Sequence, residues 1–211
     1  MTNKMLLLAA CLAFSGVATA QSFFGPKIGA TLATVDVDAD GATIDPKSNL
    51  NAQIGLALDL GLLRGFSIQP ELSYQGRSYT YSAQFLGVNT EVRQNIAFLE
   101  LGALAKVRFN PDEGLGFYLG AGPFVNYAIS GKTKYTVGGN EESVDIDFGD
   151  DEIRRTDVSL AGALGLTINL GGPLFFAEGR YVVGFSDFDE TNESEIRYRT
   201  IVGSLGFMIP L

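Results

Sequence analysis

Along most of the chain, apolar residues alternate with polar or small ones in runs of about ten residues, separated by stretches rich in Gly, Asp, Asn and Ser. Residues 51–60 show the pattern most plainly. Asn51, Gln53, Gly55, Ala57 and Asp59 fall on one side, and Ala52, Ile54, Leu56, Leu58 and Leu60 on the other. Successive side chains of a strand point to opposite faces, so such a segment has one greasy face and one polar face. The pattern predicts strands over residues 23–34, 49–60, 66–79, 95–109, 117–130, 157–170, 174–185 and 196–211.

The connections between them alternate in length. Residues 35–48, 80–92, 131–156 and 186–195 are expected to be polar loops, whereas 61–65, 110–116 and 171–173 are short turns. An even number of strands, long loops at one end and short turns at the other predict an all-β fold: an eight-stranded antiparallel up-and-down transmembrane β-barrel in the outer membrane of a Gram-negative bacterium. Both termini would then lie in the periplasm. The outward faces would carry Phe24, Ile28 and Leu32, then Phe66, Ile68, Leu72 and Tyr74, then Leu99, Leu101, Val107 and Phe109. Further on they would carry Phe117, Leu119, Val125, Tyr127 and Ile129, and finally Ile201, Leu205, Phe207, Ile209 and Leu211. Pro26, Pro70 and Pro123 interrupt predicted strands; lacking an N–H, each should mark a bulge or a strand end.

The first twenty residues form a separate unit. A basic start at Met1–Lys4, an apolar run over Met5–Phe14 and the small residues Ala18-Thr19-Ala20 are expected to be a secretory signal peptide cleaved before Gln21. Leu8-Ala9-Ala10-Cys11 also resembles a lipoprotein processing box, with lipidation at Cys11 as the alternative. Domains are therefore the leader, 1–20, and one barrel domain, 21–211. Cys11 is the only cysteine, so a chain cut after Ala20 has no thiol and no disulfide, as suits an oxidising compartment. Removing Lys4 from 15 basic residues leaves 14 against 24 acidic ones, a net charge of −10. That acidity argues against nucleic acid as a partner.

Several segments resemble a known family. Ser67-Ile68-Gln69-Pro70-Glu71-Leu72-Ser73-Tyr74, Phe98-Leu99-Glu100-Leu101 through Lys106-Val107-Arg108-Phe109, Tyr118-Leu119-Gly120-Ala121-Gly122-Pro123 and Glu178-Gly179-Arg180-Tyr181 are similar to the PorT-like outer-membrane β-barrels of Bacteroidetes-type bacteria. The resemblance spans the mature chain and implies an eight-stranded outer-membrane barrel. Founding relatives are linked to protein secretion, a role not carried over here. Such barrels often end in an aromatic residue read by the insertion machinery; this chain ends in Leu211, with Phe207 the nearest aromatic.

The predicted inward face holds Lys27, Asp59, Glu71, Arg77, Glu100, Lys106, Arg108, Asp157, Glu178 and Arg180. Eight strands leave an interior just wide enough for side chains to fill, and unpaired charges there are costly. A salt-bridge plug centred on Glu71, Glu100, Lys106, Arg108, Glu178 and Arg180 is expected, with a narrow ion path as the alternative. Asp36-x-Asp38-x-Asp40-Gly41 reproduces the first half of a calcium loop, but Lys47 stands where the closing glutamate belongs, with Asp45 the one substitute. A solvated acidic loop accounts for it better, as it does for Asp145, Asp147, Asp150, Asp151 and Glu152.

With no histidine, Ser-His-Asp and Cys-His machinery and the usual zinc sites are excluded. Gly120-x-Gly122 and the Gly162/Gly165 pair sit in strands with no helix following and make no dinucleotide fingerprint. The chain is expected to be no enzyme, and no catalytic, cofactor-binding or metal residue is assigned. Tyr74, Tyr79, Tyr81, Phe109, Phe117, Tyr127 and Phe185 are expected in the interface girdles. The partners expected are the lipid bilayer, the barrel-insertion machinery and an envelope or extracellular protein met by the loops, with the barrel a monomer. The function that follows is a structural or interaction role carried by four surface loops. A narrow channel or small-solute transporter is the alternative, and a soluble periplasmic ligand-binding barrel would need the two faces exchanged.

Overall fold

Eight long strands carry the alternation and close on themselves in the computed structural model, which describes residues 21–39, 42–43, 47–85, 88–110, 114–148, 155–185 and 195–211. They are β1 (Phe23–Ala39), β2 (Leu50–Leu63), β3 (Phe66–Phe85), β4 (Val88–Phe109), β5 (Gly114–Val137), β6 (Thr156–Asn169), β7 (Leu174–Gly184) and β8 (Glu195–Pro210). Short strands at Ala42–Thr43, Lys47–Ser48 and Asn140–Asp145 attach to β1, β3 and β5. Each long strand pairs antiparallel with the next, and β1 returns to β8 from Phe23↔Pro210 to Asp38↔Glu195, so the sheet is a closed eight-stranded ring. The N–H of Leu211 donates to the Ser22 carbonyl at 3.0 Å, which ties the two ends of the barrel domain together.

The faces fall as the alternation requires. Ile28, Ile54, Leu56, Leu101, Leu119, Leu164 and Leu205 are exposed on the outside, while Lys27, Gln53, Asp59, Glu71 and Arg180 are buried within. This is the reverse of a soluble ligand-binding barrel, and it suits hydrocarbon outside. Pro26, Pro70 and Pro123, the three prolines inside strands, sit beside a gap in a ladder, while Pro210 ends β8. The β1–β8 ladder skips from Phe24↔Ile209 to Lys27↔Gly206 at Pro26, β2–β3 from Ala57↔Glu71 to Leu60↔Ile68 at Pro70, and β4–β5 from Gly102↔Phe124 to Ala105↔Ala121 at Pro123. At two of these gaps a glycine precedes the proline. A Cβ on Gly25 would stand 1.9 Å from the Phe207 carbonyl oxygen, and one on Gly122 would stand 1.8 Å from that of Ala103.

Strands β1 to β5 outrun their predicted ends, while β6 to β8 keep to theirs within a residue. β4 has 22 residues; at ~3.3 Å each and a tilt of ~40° it rises roughly 55 Å, about twice the apolar band. Of residues 80–92, expected as a loop, 80–85 and 88–92 are a continuing ribbon paired out to Phe85↔Val88. Residues 35–39 extend β1, and the region 131–156 opens with a hairpin of β5 against Asn140–Asp145. The register contrast fades there because both faces of the sheet have left the bilayer. The alternation in the sequence therefore stops before the strand does. The predicted loop 186–195 lies outside the described residues except for Glu195, which opens β8.

Leu56 is 46% exposed on the lipid side. Leu56→Arg is expected to cost about 2–4 kcal/mol, as a cation near the bilayer midplane does. The check is the yield of the fast-migrating, heat-modifiable band in outer membranes; a wild-type yield would contradict the lipid-facing assignment.

Candidate functional site

Alternate residues of every strand meet on the barrel axis. Lys27, Arg77, Lys106, Arg108 and Arg180 face Asp59, Glu71, Glu100, Asp157 and Glu178, so the two signs cancel. These are the ten inward charges read from the sequence. The centre is Glu71 on β3. Both its oxygens accept from Arg180 Nη2 at 2.9 Å, and it also pairs with Lys27. β3 and β7 stand opposite each other in the ring, so this contact joins two facing walls across the lumen. Arg180 Nη2 also donates to Glu178 Oε1 at 2.6 Å, and Tyr118 donates its hydroxyl to Glu178 Oε2 at 2.7 Å.

Two further groups lie above and below. Toward the short turns, Lys106 Nζ pairs with Asp59 Oδ2 at 2.8 Å, and Arg108 Nη1 lies 4.0 Å from Asp59 Oδ1. Toward the long loops, Arg77 donates to Asn126 Oδ1 at 2.9 Å and pairs with Asp157 Oδ2 at 3.4 Å. Glu100 links this group to the centre: it accepts from Gln75 at 2.8 Å and lies 3.8 Å from both Arg77 Nη2 and Arg180 Nη1. Every residue expected in the plug is in it. Arg108 is the outermost, at the end of the short turns.

Aromatic side chains fill what the charges leave, and the expectation did not include them. Arg77 lies 4.7 Å from the Phe98 ring centroid, Lys106 3.9 Å from Tyr118 and Arg180 4.8 Å from Phe124. Such cation–π contacts are strongest when desolvated. Each of three inward aromatics lies over a glycine directly across a ladder: Phe124 over Gly102, Tyr118 over Gly165 and Phe176 over Gly206. A Cβ at these glycines would stand between 2.0 and 2.3 Å from the ring. Aromatic rings that cover glycines across a strand pair let a sheet bend sharply without a hole. The signal was present in the sequence, because Phe98 shares the face of Glu100, and Phe124 that of Asn126. At the outer mouth Ile146 and Phe148 pack against Ile96, Phe98 and Ala128, and the Ile146 N–H donates to the Gly131 carbonyl at 2.9 Å.

Two other expectations are corrected. Tyr79 is 6% exposed, and Tyr81 is half-buried with its ring edge-on to Tyr79 at 5.3 Å. Both lie an even number of residues from inward Arg77, so they face the barrel axis and not the lipid girdle. Tyr74, Phe109, Phe117, Tyr127 and Phe185 are exposed outside, with Phe109 stacked on Phe117 at 4.5 Å. Asp36 and Asp38 belong to β1, opposite Arg197 and Glu195 of β8. An extended ladder spaces their Cα positions about 6.5 Å apart instead of turning them around one ion. Asp40, Asp45, Asp150, Asp151 and Glu152 lie outside the described residues. Among the described residues no cluster has three metal-ligating side chains.

Residues 19–190 match the sequence model of a family described as outer membrane protein beta-barrel domain. The chain belongs to this family. It is therefore an outer-membrane protein, and the apolar belt around the charged interior is its lipid contact. No curated protein matches it. Among solved structures it is similar to Ail, the attachment invasion locus protein of Yersinia pestis, in complex with the heparin analogue sucrose octasulfate. The identity is 17% over 90% of this chain and 100% of that one, with a TM-score of 0.43. It is also similar to Neisserial surface protein A, 13% identical over 87% and 96% of the two chains, TM-score 0.39. The outer membrane protease OmpT of Escherichia coli is 10% identical over 92% and 98%, TM-score 0.38. Identities and scores this low carry no functional inference.

Arg180→Leu leaves Glu71 and Glu178 buried without their shared cation. A loss of about 3–5 kcal/mol is expected. It is measurable as a lower urea midpoint for loss of the folded gel band in micelles. Asp59→Leu combined with Lys106→Met should cost less than the sum of the two single changes, because the double variant removes both charges of a pair. Additive costs would mean that the pair is not coupled.

Proposed function

We propose that this protein is a non-conducting outer-membrane barrel, without enzymatic activity, whose working part is the β-structure and loops outside the cell. The Glu71–Arg180 contact between opposite walls carries this reading. An ion path needs a continuous wet lumen, and here side chains from facing strands meet at 2.9 Å within a neutral network. The ribbon of β3, β4 and β5 supports the second half: a rigid scaffold that carries its exposed segments well beyond the bilayer is suited to recognition.

The finer assignments belong to the same proposal. The resemblance of segments 67–74, 98–109, 118–123 and 178–181 supports a PorT-like barrel, a monomer delivered by the barrel-insertion machinery. Residues 1–20 are an export leader removed after Ala20. The intact mass of protein purified from outer membranes should correspond to a chain beginning at Gln21; a mass carrying lipid on Cys11 would overturn that assignment.

Planar-bilayer recording tests the main proposal. The refolded wild-type protein should insert without unitary current. Reproducible single-channel steps would replace the platform with the channel or transporter alternative.

A further inference from the structure

Above the membrane the ring is no longer complete among the described residues. β3, β4, β5 and Asn140–Asp145 continue there as a four-stranded antiparallel sheet. Residues directly opposite each other in such a sheet share a face. One face carries Tyr81, Val92, Tyr135 and Glu142 in one row across the strands, and Tyr79, Gln94, Thr133 and Val144 in the next. The other carries Arg93, Lys132, Lys134, Glu141 and Asp145. The ion pairs Lys134–Glu141 at 2.6 Å, Lys132–Asp145 at 3.5 Å and Arg93–Glu91 at 3.9 Å all lie on that second face. The charges thus gather on the second face, and the first, with Glu142 its one carboxylate in these rows, leaves Tyr135 42%, Val137 47% and Val144 50% exposed.

Asn140–Asp145 is the edge of this sheet. Among the described residues it pairs with β5 alone, and all six of its residues are exposed. The Ile146 N–H donates to Gly131 of β5. In an antiparallel ladder backbone groups alternate sides, so Glu142 and Val144 also turn theirs to β5. Glu141, Ser143 and Asp145 turn their N–H and C=O groups to the free edge. The edge strand holds Glu141, Glu142 and Asp145 and no cation. Each carboxylate has two oxygens, so the Lys134 and Lys132 contacts leave acceptor capacity for a second cation. Edge strands of soluble proteins are commonly blunted by charged side chains, proline or a bulge; of these, this one carries only carboxylates, which repel an acidic strand and leave a basic one free to add.

We infer that the Asn140–Asp145 edge accepts an added β-strand from a partner polypeptide, an extended basic segment with alternating apolar side chains. Its backbone would bond to Glu141, Ser143 and Asp145, its cations would stand beside Glu141 and Asp145, and its apolar side chains would lie beside Val144 and the methylene stem of Glu142. Charge complementarity favours such a strand over a second copy of this chain, which would bring the same acidic edge against itself. The inference rests on the reading of the extracellular β-structure as the working surface, and it gives that surface a partner chemistry.

The test uses the full-length barrel refolded in micelles and a fluorescent synthetic peptide that alternates lysine and valine. Saturable binding is expected. It should weaken by about tenfold or more when glutamate replaces lysine, since like charges across an interface cost more than a kilocalorie. Methylation of alternate peptide amides, or a scrambled order of the same residues, should weaken it by a similar factor. Ser143→Pro removes an edge-facing donor and no hydrogen bond of the sheet, so it should abolish binding while the heat-modifiable band persists. Glu141→Gln with Asp145→Asn should erase the preference for lysine over glutamate. Equal binding of the scrambled peptide, or unchanged binding by Ser143→Pro, would overturn strand addition. Conductance on the same preparation reads the plug separately: a silent barrel that binds no peptide sinks strand addition and leaves the plug standing.

Discussion

Four buried cations, a partly buried Arg108 and five buried anions share the axis of a barrel wide enough only for side chains, and each must find its opposite there. Glu71 is where this constraint is met across the full width, through Arg180 from the facing wall and Lys27 from β1. Desolvation offsets much of what such pairs contribute, so the network is not a large reservoir of stability. Its consequence is specificity. A slip of one residue in β3 would turn Glu71, Gln75 and Arg77 into hydrocarbon and Leu72 and Tyr74 into the lumen. The charges therefore hold the register of strands far apart in the chain, and the apolar belt outside holds the same register from the other side.

The wall is shaped to suit that interior. Phe124, Tyr118 and Phe176 each lie over a glycine of the neighbouring strand, so the sheet curves tightly while its inner surface stays packed. Two of these rings also lie against the guanidinium or ammonium groups of the plug, Phe124 with Arg180 and Tyr118 with Lys106. Gly25-Pro26 and Gly122-Pro123 stand where ladders open and backbones press together. Glycine supplies the close approach, and proline sits where no ladder bond is lost.

The same strands have a second environment above the membrane. The face continuous with the plug keeps Tyr81, Val92, Tyr135 and Val144, with Glu142 at its edge, while the opposite face changes from lipid-facing leucines to ion pairs. That change marks where the outside of the barrel passes from hydrocarbon to water. A stiff sheet with an acidic free edge differs in kind from a flexible loop, because its backbone groups are already arrayed for recognition.

How much was legible in the sequence depended on whether the two strand faces met different media. Within the bilayer they do, so Leu56 and Asp59 announced their sides, and all ten inward charges were readable from parity alone. The eight-strand count, the alternation of long and short connections and the need for a paired interior followed from that. Parity also placed Phe98, Phe124, Tyr79 and Tyr81 inward, but aromatics near strand ends resemble a girdle when only composition is weighed. Beyond the bilayer the two faces no longer differ enough along one strand, so Asp36, Asp38 and residues 80–92 looked like loop. Which cation meets which carboxylate was not legible at all. Glu71 and Arg180 are 109 residues apart, and only closure of the ring, which sets β3 against β7, brings them within reach of a hydrogen bond.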